Sequence, residues 1–430
     1  MNTRRAEKGN VRVLVIGAGA AGLAAGRRLH QGGYDVLLLE ARNRIGGRIW
    51  TNHDLAPHPV ELGAEFIHGD KAITWSLVRA YGLHTLDKVP WEQISVYMDE
   101  QLLGPEAFFA LPYAEEVFWL TYVDEVAEAW GNAGRSDGSI TEILGADKMP
   151  EGMQTLLHNR FTADMTAEPE QLGIYGWLEW LRVHDGENEY RLVEGYSRLM
   201  EQLAAGLDVR LNKPIKRIRW DANGVTAYTR TGETFEAQCA VVTLPLAVLQ
   251  AGDVTFDPVL PAGKQAAING LGSGHVNKLI LKFKKRFWPE ISPALFTTLD
   301  SQIWWRPGLG RTNEAPLLTG YMGGQAAKRF MALGEEGAIR EGIRHLEQMF
   351  GLKNLHHHLE TGLLVAWSSD PYTKMSYSYV PVGGAGLRDQ LVAPIERVLF
   401  FAGEATSREC ASTVHGALES GFTAADELMG

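Results

Sequence analysis

The chain has 430 residues, more than one hydrophobic core usually organises, so two domains, sequential or interleaved, are expected. A hydrophobic share of 45% and a charged share of 22% are those of an ordinary globular enzyme and exclude disorder as the main character of the chain. With 52 Asp and Glu against 41 Lys and Arg the net charge is -11, which argues against nucleic-acid binding, a class that carries a basic surplus.

Residues 1 to 10 are polar. The pair Arg4-Arg5 is followed by Ala6, Glu7, Lys8, Gly9 and Asn10 and then by a strand, so no cleavable export signal is expected. Val11 to Ile16 reads as a strand buried on both faces. Gly17-Ala18-Gly19-Ala20-Ala21-Gly22 opens a small-residue helix that stops near Gly32-Gly33, and Tyr34 to Leu39 is a second strand closed by Glu40. From about Asp70 to Glu189 the chain is rich in aromatics and Leu, with helical spacing at Val117, Leu120, Val123 and Val126. Short strands are predicted at Val209-Leu211, Ile215-Ile218, Val225-Tyr228 and Ala240-Thr243, and further strands at Lys278 to Phe283 and Leu363 to Trp367. Glu335 to Met349 is an amphipathic helix stopped by Gly351. Arg397 to Phe401 is a last strand, followed by Gly403 and a helix from about Thr413 to Met429.

The longest apolar stretch, around Cys239 to Leu249, is far short of the ~20 residues a bilayer requires, and the chain ends directly after a helix, so neither a membrane span nor a tail anchor is expected. Cys239 and Cys410 have neither disulfide-framework nor zinc spacing, and His356-His357-His358 has no second ligand group at metal spacing, so no metal is predicted. These features describe a cytoplasmic protein without nucleic-acid or membrane partners.

The first motif carries chemistry through its order. Gly17 permits a tight turn, Gly19 lets backbone approach a pyrophosphate, and Gly22 lets the helix pack on the sheet, while the helix N-terminus offers N–H donors. Glu40, at the end of the second strand, can accept bonds from a ribose diol and would repel a 2′-phosphate, which argues against NADP and leaves FAD and NAD. Beyond it stands Ala41-Arg42-Asn43-Arg44-Ile45-Gly46-Gly47-Arg48, where the glycine pair implies a second close backbone approach and Arg48 offers a forked donor.

At this point the sequence resembles the flavin-dependent amine oxidase superfamily, whose members carry Arg-x-x-x-Gly-Gly-Arg after the acid. Three more blocks share the resemblance: Glu61-Leu62-Gly63-Ala64-Glu65-Phe66-Ile67-His68-Gly69, Asn277-Lys278, and Phe401 to Thr406 with Ser412 to Leu418. The resemblance implies an α/β protein. A glutathione-reductase-like Rossmann FAD-binding domain would be assembled from 1–70, 190–262 and 388–430, with a mixed substrate-binding domain inserted at 71–189 and 263–387. It places Gly17, Gly19, Gly22, Glu40, Arg42, Gly47, Arg48, Gly63, Ala64, Ile215, Trp367, Gly403, Glu404, Thr413 and Val414 against FAD, with Glu404 taking the cofactor's hydroxyls. The helix opening near Thr413 would aim its N-terminus at the flavin pyrimidine. In the family the lysine matched by Lys278 holds a water near flavin N5; the competing reading is an exposed edge-strand lysine, since Lys282, Lys284 and Lys285 follow.

Aligned on Pro381 and Gly383, Met375 stands where covalently flavinylated monoamine oxidases have cysteine, so the FAD is expected to be non-covalent. Ser376 and Thr413 replace the two tyrosines of those enzymes' aromatic cage, and Met375 to Val382 looks instead like polyamine oxidases and histone demethylases. The loop 61–69 has no arginine for a substrate carboxylate; it has Glu65, suited to an ammonium group, and His68. Asp185, Glu187, Glu189 and Glu194 are candidates for a cationic tunnel mouth. Lys278, His68, Glu65 and Thr413 are therefore the predicted catalytic set of a monomeric or homodimeric enzyme. Its expected reaction is dioxygen-dependent oxidation of a di- or polyamine to an imine and then an aldehyde, with release of hydrogen peroxide. The alternatives are a monoamine or L-amino-acid oxidase, or a flavin-bearing redox sensor without turnover.

Overall fold

The computed structural model describes residues 12–181, 188–288 and 293–430. Arg4-Arg5, Val11, Asp185 and Glu187 lie outside the described residues.

Apolar runs without alternation build the central sheet, apart from its polar edge strand Asp208–Arg210. Its five parallel strands lie in the order Leu399–Phe401, Cys239–Val242, Arg12–Ile16, Asp35–Leu39 and Asp208–Arg210. Val13 and Val15 pack on one face and Leu14 and Ile16 on the other, as expected of a strand covered on both sides. On the first face the helix Ala20–Gln31 lies against the C-terminal helix Val414–Met429. The approach requires small residues: a Cβ on Gly421 would run into the Ala21 carbonyl. On the second face lies a four-stranded sheet, Thr234–Ala237, Gly224–Thr229, Ile215–Asp221 and Thr255–Asp257.

A third sheet, of seven strands, runs Leu359–Ala366, Val276–Phe283, Leu317–Gly323, Ile303–Trp305, Ala294–Thr297, Ser95–Met98 and Gln101–Leu103. It is antiparallel except where Ala294–Thr297 meets Ser95–Met98. The helices Gly324–Ala332 and Gly334–Phe350 cover part of it through Leu279, Leu281 and Phe283. The period of two in Val276–Phe283 sends Ile280 to the other side, against Val60 and Leu62, and Lys278 shares that parity. Lys278 is thus buried in a strand paired on both sides, and the edge-strand reading falls. The protein is the mixed α/β type expected, with a parallel Rossmann sheet beside a separate mixed sheet.

One helix differs from its expected form. The periodic run through Val117, Leu120 and Val123 is broken, because Leu120 adopts a left-handed conformation (φ 57°) between Ala114–Trp119 and Thr121–Asn132. A non-glycine residue there costs roughly 1–2 kcal/mol. The break turns Phe118, Trp119 and Leu120 onto the wall of the central cavity. The strand Thr234–Ala237 was not legible because its exposed and half-buried residues alternate without strong apolar character. Among the described residues no helix is long and apolar enough to cross a membrane.

Candidate active site

Every residue assigned to the cofactor or to catalysis from sequence lines one cavity of about 890 Å3 between the Rossmann sheet and the seven-stranded sheet. At its cofactor end the first strand turns at Gly17 (φ 108°), where a Cβ would stand 2.6 Å from Thr243 Oγ1, and a Cβ on Gly22 would overlap the Gly17 carbonyl. Gly19 caps the helix Ala20–Gln31 without a side-chain bond, which leaves its first N–H groups facing a prospective phosphate. Glu40 is buried and binds the turn itself: Oε2 accepts Ala18 N–H at 2.8 Å and Oε1 accepts Arg42 N–H at 2.9 Å. Gly46 and Gly47 both have positive φ (94° and 58°), and Gly46 pairs with Gly19, so the two glycine motifs form a single cradle. Arg44 fixes the second by donating to the carbonyls of Ile45, Gly47 and Ile49 beneath Trp50. Arg42 is held by Asp370 and Thr373. A Cβ on Gly63 would collide with the Arg48 carbonyl, and Trp367 Nε1 donates to Leu62 O at 3.1 Å. This cradle, with an acid at the ribose position and no bulk over the helix N-terminus, fits a dinucleotide flavin.

Glu404 and Thr413 both make hydrogen bonds within the protein at the cavity wall. Glu404 lines the cavity and accepts from Arg48 Nη1 at 3.1 Å and from Ser378 Oγ at 2.7 Å, beside the guanidinium of Arg388. Burial pushes its carboxyl up, but those two arginines outweigh burial and hold it below the usual range. Thr413 caps the last helix, accepting Gly416 N–H at 2.9 Å and donating to Cys410 O at 2.6 Å, so its hydroxyl proton is committed to the cap. Val414 beside it keeps the helix N-terminus at the cavity.

Met375 does not face the cavity; its side chain is fully buried in the core and its sulfur accepts Ala247 N–H at 3.2 Å, while Ser376 lines the wall. Acid or heat precipitation is therefore expected to release all the flavin into the supernatant. Flavin retained in the pellet would be traced to Cys410, a thiol that does line the cavity.

At the other end Lys278 Nζ donates to Glu65 Oε2 at 2.9 Å and to Glu61 O at 3.1 Å. Glu65 also accepts Arg191 Nε at 2.7 Å and Trp305 Nε1 at 3.1 and 3.2 Å. It is thus a structural counter-ion, and the expectation that it receives a substrate ammonium is corrected. Burial would raise its pKa, yet Lys278 and Arg191 hold it below the usual carboxylate range. Glu61, buried with bonds from Tyr196 N–H and Thr51, is pushed by burial up to about 7.

His68 faces the cavity, with Nδ1 2.6 Å from Glu189 Oε1. Burial works against its protonation, but the Glu189 charge and hydrogen bond prevail and raise its pKa. Glu189 is accordingly in the site, whereas Glu194 pairs with His84 toward the surface. His356 and His357 are solvent-exposed, and no cluster of metal-ligating residues occurs among the described residues.

Sequence reasoning missed much of the wall. Phe66, Trp91, Phe118, Trp177, Phe296, Trp305, Tyr321 and Tyr377 supply aromatic surface. Tyr321 lies directly across from Lys278 in the sheet, and its hydroxyl is 2.9 Å from that of Tyr377. The lack of an arginine in the loop 61–69 does not leave the site without one: Arg191 reaches Glu65, and Arg160 lines the cavity in an ion pair with Asp164, its pKa lowered by burial to about 10. Asp124, on the helix after Leu120, also lines the cavity; it accepts Trp177 Nε1 at 3.0 Å and has no cationic partner among the described residues. Burial, then the neighbouring Glu128 and Glu125, raise its pKa to about 6.

Residues 20–429 match the family model of flavin containing amine oxidoreductases. "Polyamine oxidase 2" of Arabidopsis thaliana is 30% identical over 96% of this chain and 87% of its own length. Human "Lysine-specific histone demethylase 2" is 28% identical over 97% of this chain but only 53% of its own. Among solved structures, cyclohexylamine oxidase from Brevibacterium oxydans superposes with a TM-score of 0.84 at 24% identity, covering 97% of this chain and 98% of that one. Putrescine oxidase with putrescine bound gives 0.83 at 19%, covering 97% and 99%. With the cradle, the aromatic cavity and a match over nearly its whole length, this chain belongs to the flavin-containing amine oxidoreductase family, an amine oxidase that holds FAD non-covalently.

Proposed function

We propose that the substrate is a di- or polyamine, oxidised at a C–N bond to an imine that water converts to an aldehyde and an amine. The observation that carries this reading is Asp124, a carboxylate without a cationic partner among the described residues, set in an aromatic wall of the cavity. An ammonium group remote from the reacting nitrogen would find there both a counter-charge and ring faces. The surroundings support it: residues 89–134 hold nine Asp or Glu and no Lys or Arg, so this stretch accounts for most of the net charge of -11. A field of that sign steers cations toward the cavity.

When bound, FAD supplies a two-electron hydride acceptor that dioxygen regenerates with release of hydrogen peroxide. The rest falls to the protein. The reacting nitrogen must arrive neutral, and a neutral His68 ring, whose Nδ1 bond to Glu189 leaves the other ring nitrogen for the cavity, takes the proton of the incoming ammonium, with Glu189 stabilising the imidazolium formed. Aromatic walls exclude water and orient the α-carbon. The N-terminus of Val414–Met429 and the ammonium of Lys278 favour negative charge developing beside them.

Turnover of spermine, spermidine, putrescine, phenylethylamine and an L-amino acid at two salt concentrations tests the reading. A di- or polyamine is expected to lead, with kcat/KM falling as salt shortens the ~10 Å reach of exposed charges. Asp124→Asn is expected to raise the KM for the preferred diamine about tenfold, equivalent to ~1.4 kcal/mol, with little change for phenylethylamine. In wild type the same KM is expected to rise as pH falls through about 6, because Asp124 then takes a proton and loses its charge. A preference for phenylethylamine or the amino acid without a salt effect would overturn the polyamine reading and leave the flavin chemistry intact.

A further inference from the structure

We propose that Glu65, itself anchored by Arg191, is the positioning residue that holds Lys278 as a cation at the cavity wall. The proposal rests on the reading that Lys278 serves the flavin chemistry. Three distant segments meet in the cluster: Glu65 from the loop 61–69, Arg191 just after the strand Glu189–Tyr190, and Lys278 from Val276–Phe283. The three residues are each only 5% exposed. The carboxylate has no freedom left. Oε2 is taken by Lys278 at 2.9 Å, Oε1 by Arg191 at 2.7 Å, and the Trp305 indole N–H lies across both at 3.1 and 3.2 Å. Lys278 spends a second N–H on Glu61 O at 3.1 Å, and its third is left for the cavity it lines.

A solitary lysine buried to this extent would shed its proton, whereas a guanidinium keeps its own. Two cations share one carboxylate here, so removing the Glu65 charge takes the counter-ion from both. Glu61 and Tyr321, which lies across from Lys278 in the sheet, are the other titratable groups against the cluster, and His58 and Arg311 act on it from farther away. With Glu65→Gln, Arg191 and Lys278 face each other across a neutral amide, and the lysine is the partner that yields.

The test uses FAD-loaded wild type, Glu65→Gln, Glu65→Asp, Lys278→Met and the double variant Glu65→Gln/Lys278→Met. Anaerobic flavin reduction by amine and reoxidation by dioxygen are followed separately from pH 6 to 9. Whichever step Lys278→Met slows, Glu65→Gln is expected to slow by about tenfold or more. The double variant should be no slower than Lys278→Met alone. The Glu65→Gln deficit relative to wild type should shrink as pH falls and the lysine is reprotonated; that of Lys278→Met should not. Glu65→Asp, which keeps the charge, should lie between, and it carries the test if the glutamine variant does not fold. Thermal melting of the FAD-free proteins gives a readout apart from turnover: Glu65→Gln should lower Tm less in the Lys278→Met background than in wild type. Multiplicative losses, a deficit independent of pH, or a rise confined to the amine KM would overturn the role of Glu65 alone. A Lys278→Met variant identical to wild type in both half-reactions would overturn the reading of Lys278 and this proposal with it.

Discussion

Lys278→Met is expected to retain FAD and yet slow flavin reduction, reoxidation or both by about 100-fold, equivalent to ~2.7 kcal/mol of transition-state stabilisation. The variant is expected to fold because the group left behind is not orphaned. Glu65 keeps Arg191 Nε at 2.7 Å and the Trp305 indole, so removal of one cation leaves a balanced buried pair. The methionine fills nearly the same volume against the Trp305 ring, whose centre lies 5.4 Å from Nζ. The loss therefore falls on charge and hydrogen bonding at the cavity wall. Stopped-flow traces matching wild type in both half-reactions, at equal FAD content, would reduce Lys278 to a packing residue.

The cofactor end was legible in the sequence because its determinants are local. Gly17, Gly19, Gly22 and Glu40 lie within one strand–helix–strand unit, and the backbone conformations they permit can be inferred from glycine spacing alone. The substrate end was not, because its charges are paired across the fold. Glu65 looked like a free carboxylate in its own loop; its partners are 126 and 213 residues away. Arg191 carried a faint signal, standing just beyond Glu189-Tyr190, the strand that pairs with Ile67–His68. Asp124 carried none: it reads as one more acid on an amphipathic helix, and only the left-handed break at Leu120 brings that helix start to the cavity. Glu404 and Thr413 show the opposite case. Their motifs place them correctly at the cavity, but their side chains bond to Ser378, Arg48, Gly416 and Cys410. Position was readable from motif, and hydrogen-bond allegiance was not.

Glu40→Ala is expected to strip the protein of most of its FAD, and the reason is twofold. The carboxylate stands at the end of the second strand, where the ribose of a bound dinucleotide would sit, so alanine removes its acceptor. It also accepts the backbone N–H groups of Ala18 and Arg42, at 2.8 and 2.9 Å, and alanine leaves both donors without a partner. An unsatisfied buried donor costs about 1–3 kcal/mol. Loss of even 2–3 kcal/mol from the cradle weakens the cofactor by about 30- to 150-fold. Glu40→Gln separates the two effects, since its amide oxygen can still serve one of the N–H groups while the charge is gone; its FAD content is expected to fall between wild type and Glu40→Ala. The measurement is the flavin-to-protein absorbance ratio after desalting, followed by titration of the stripped protein with FAD. Full FAD occupancy in Glu40→Ala would mean that the first strand–helix–strand unit is not where the nucleotide binds.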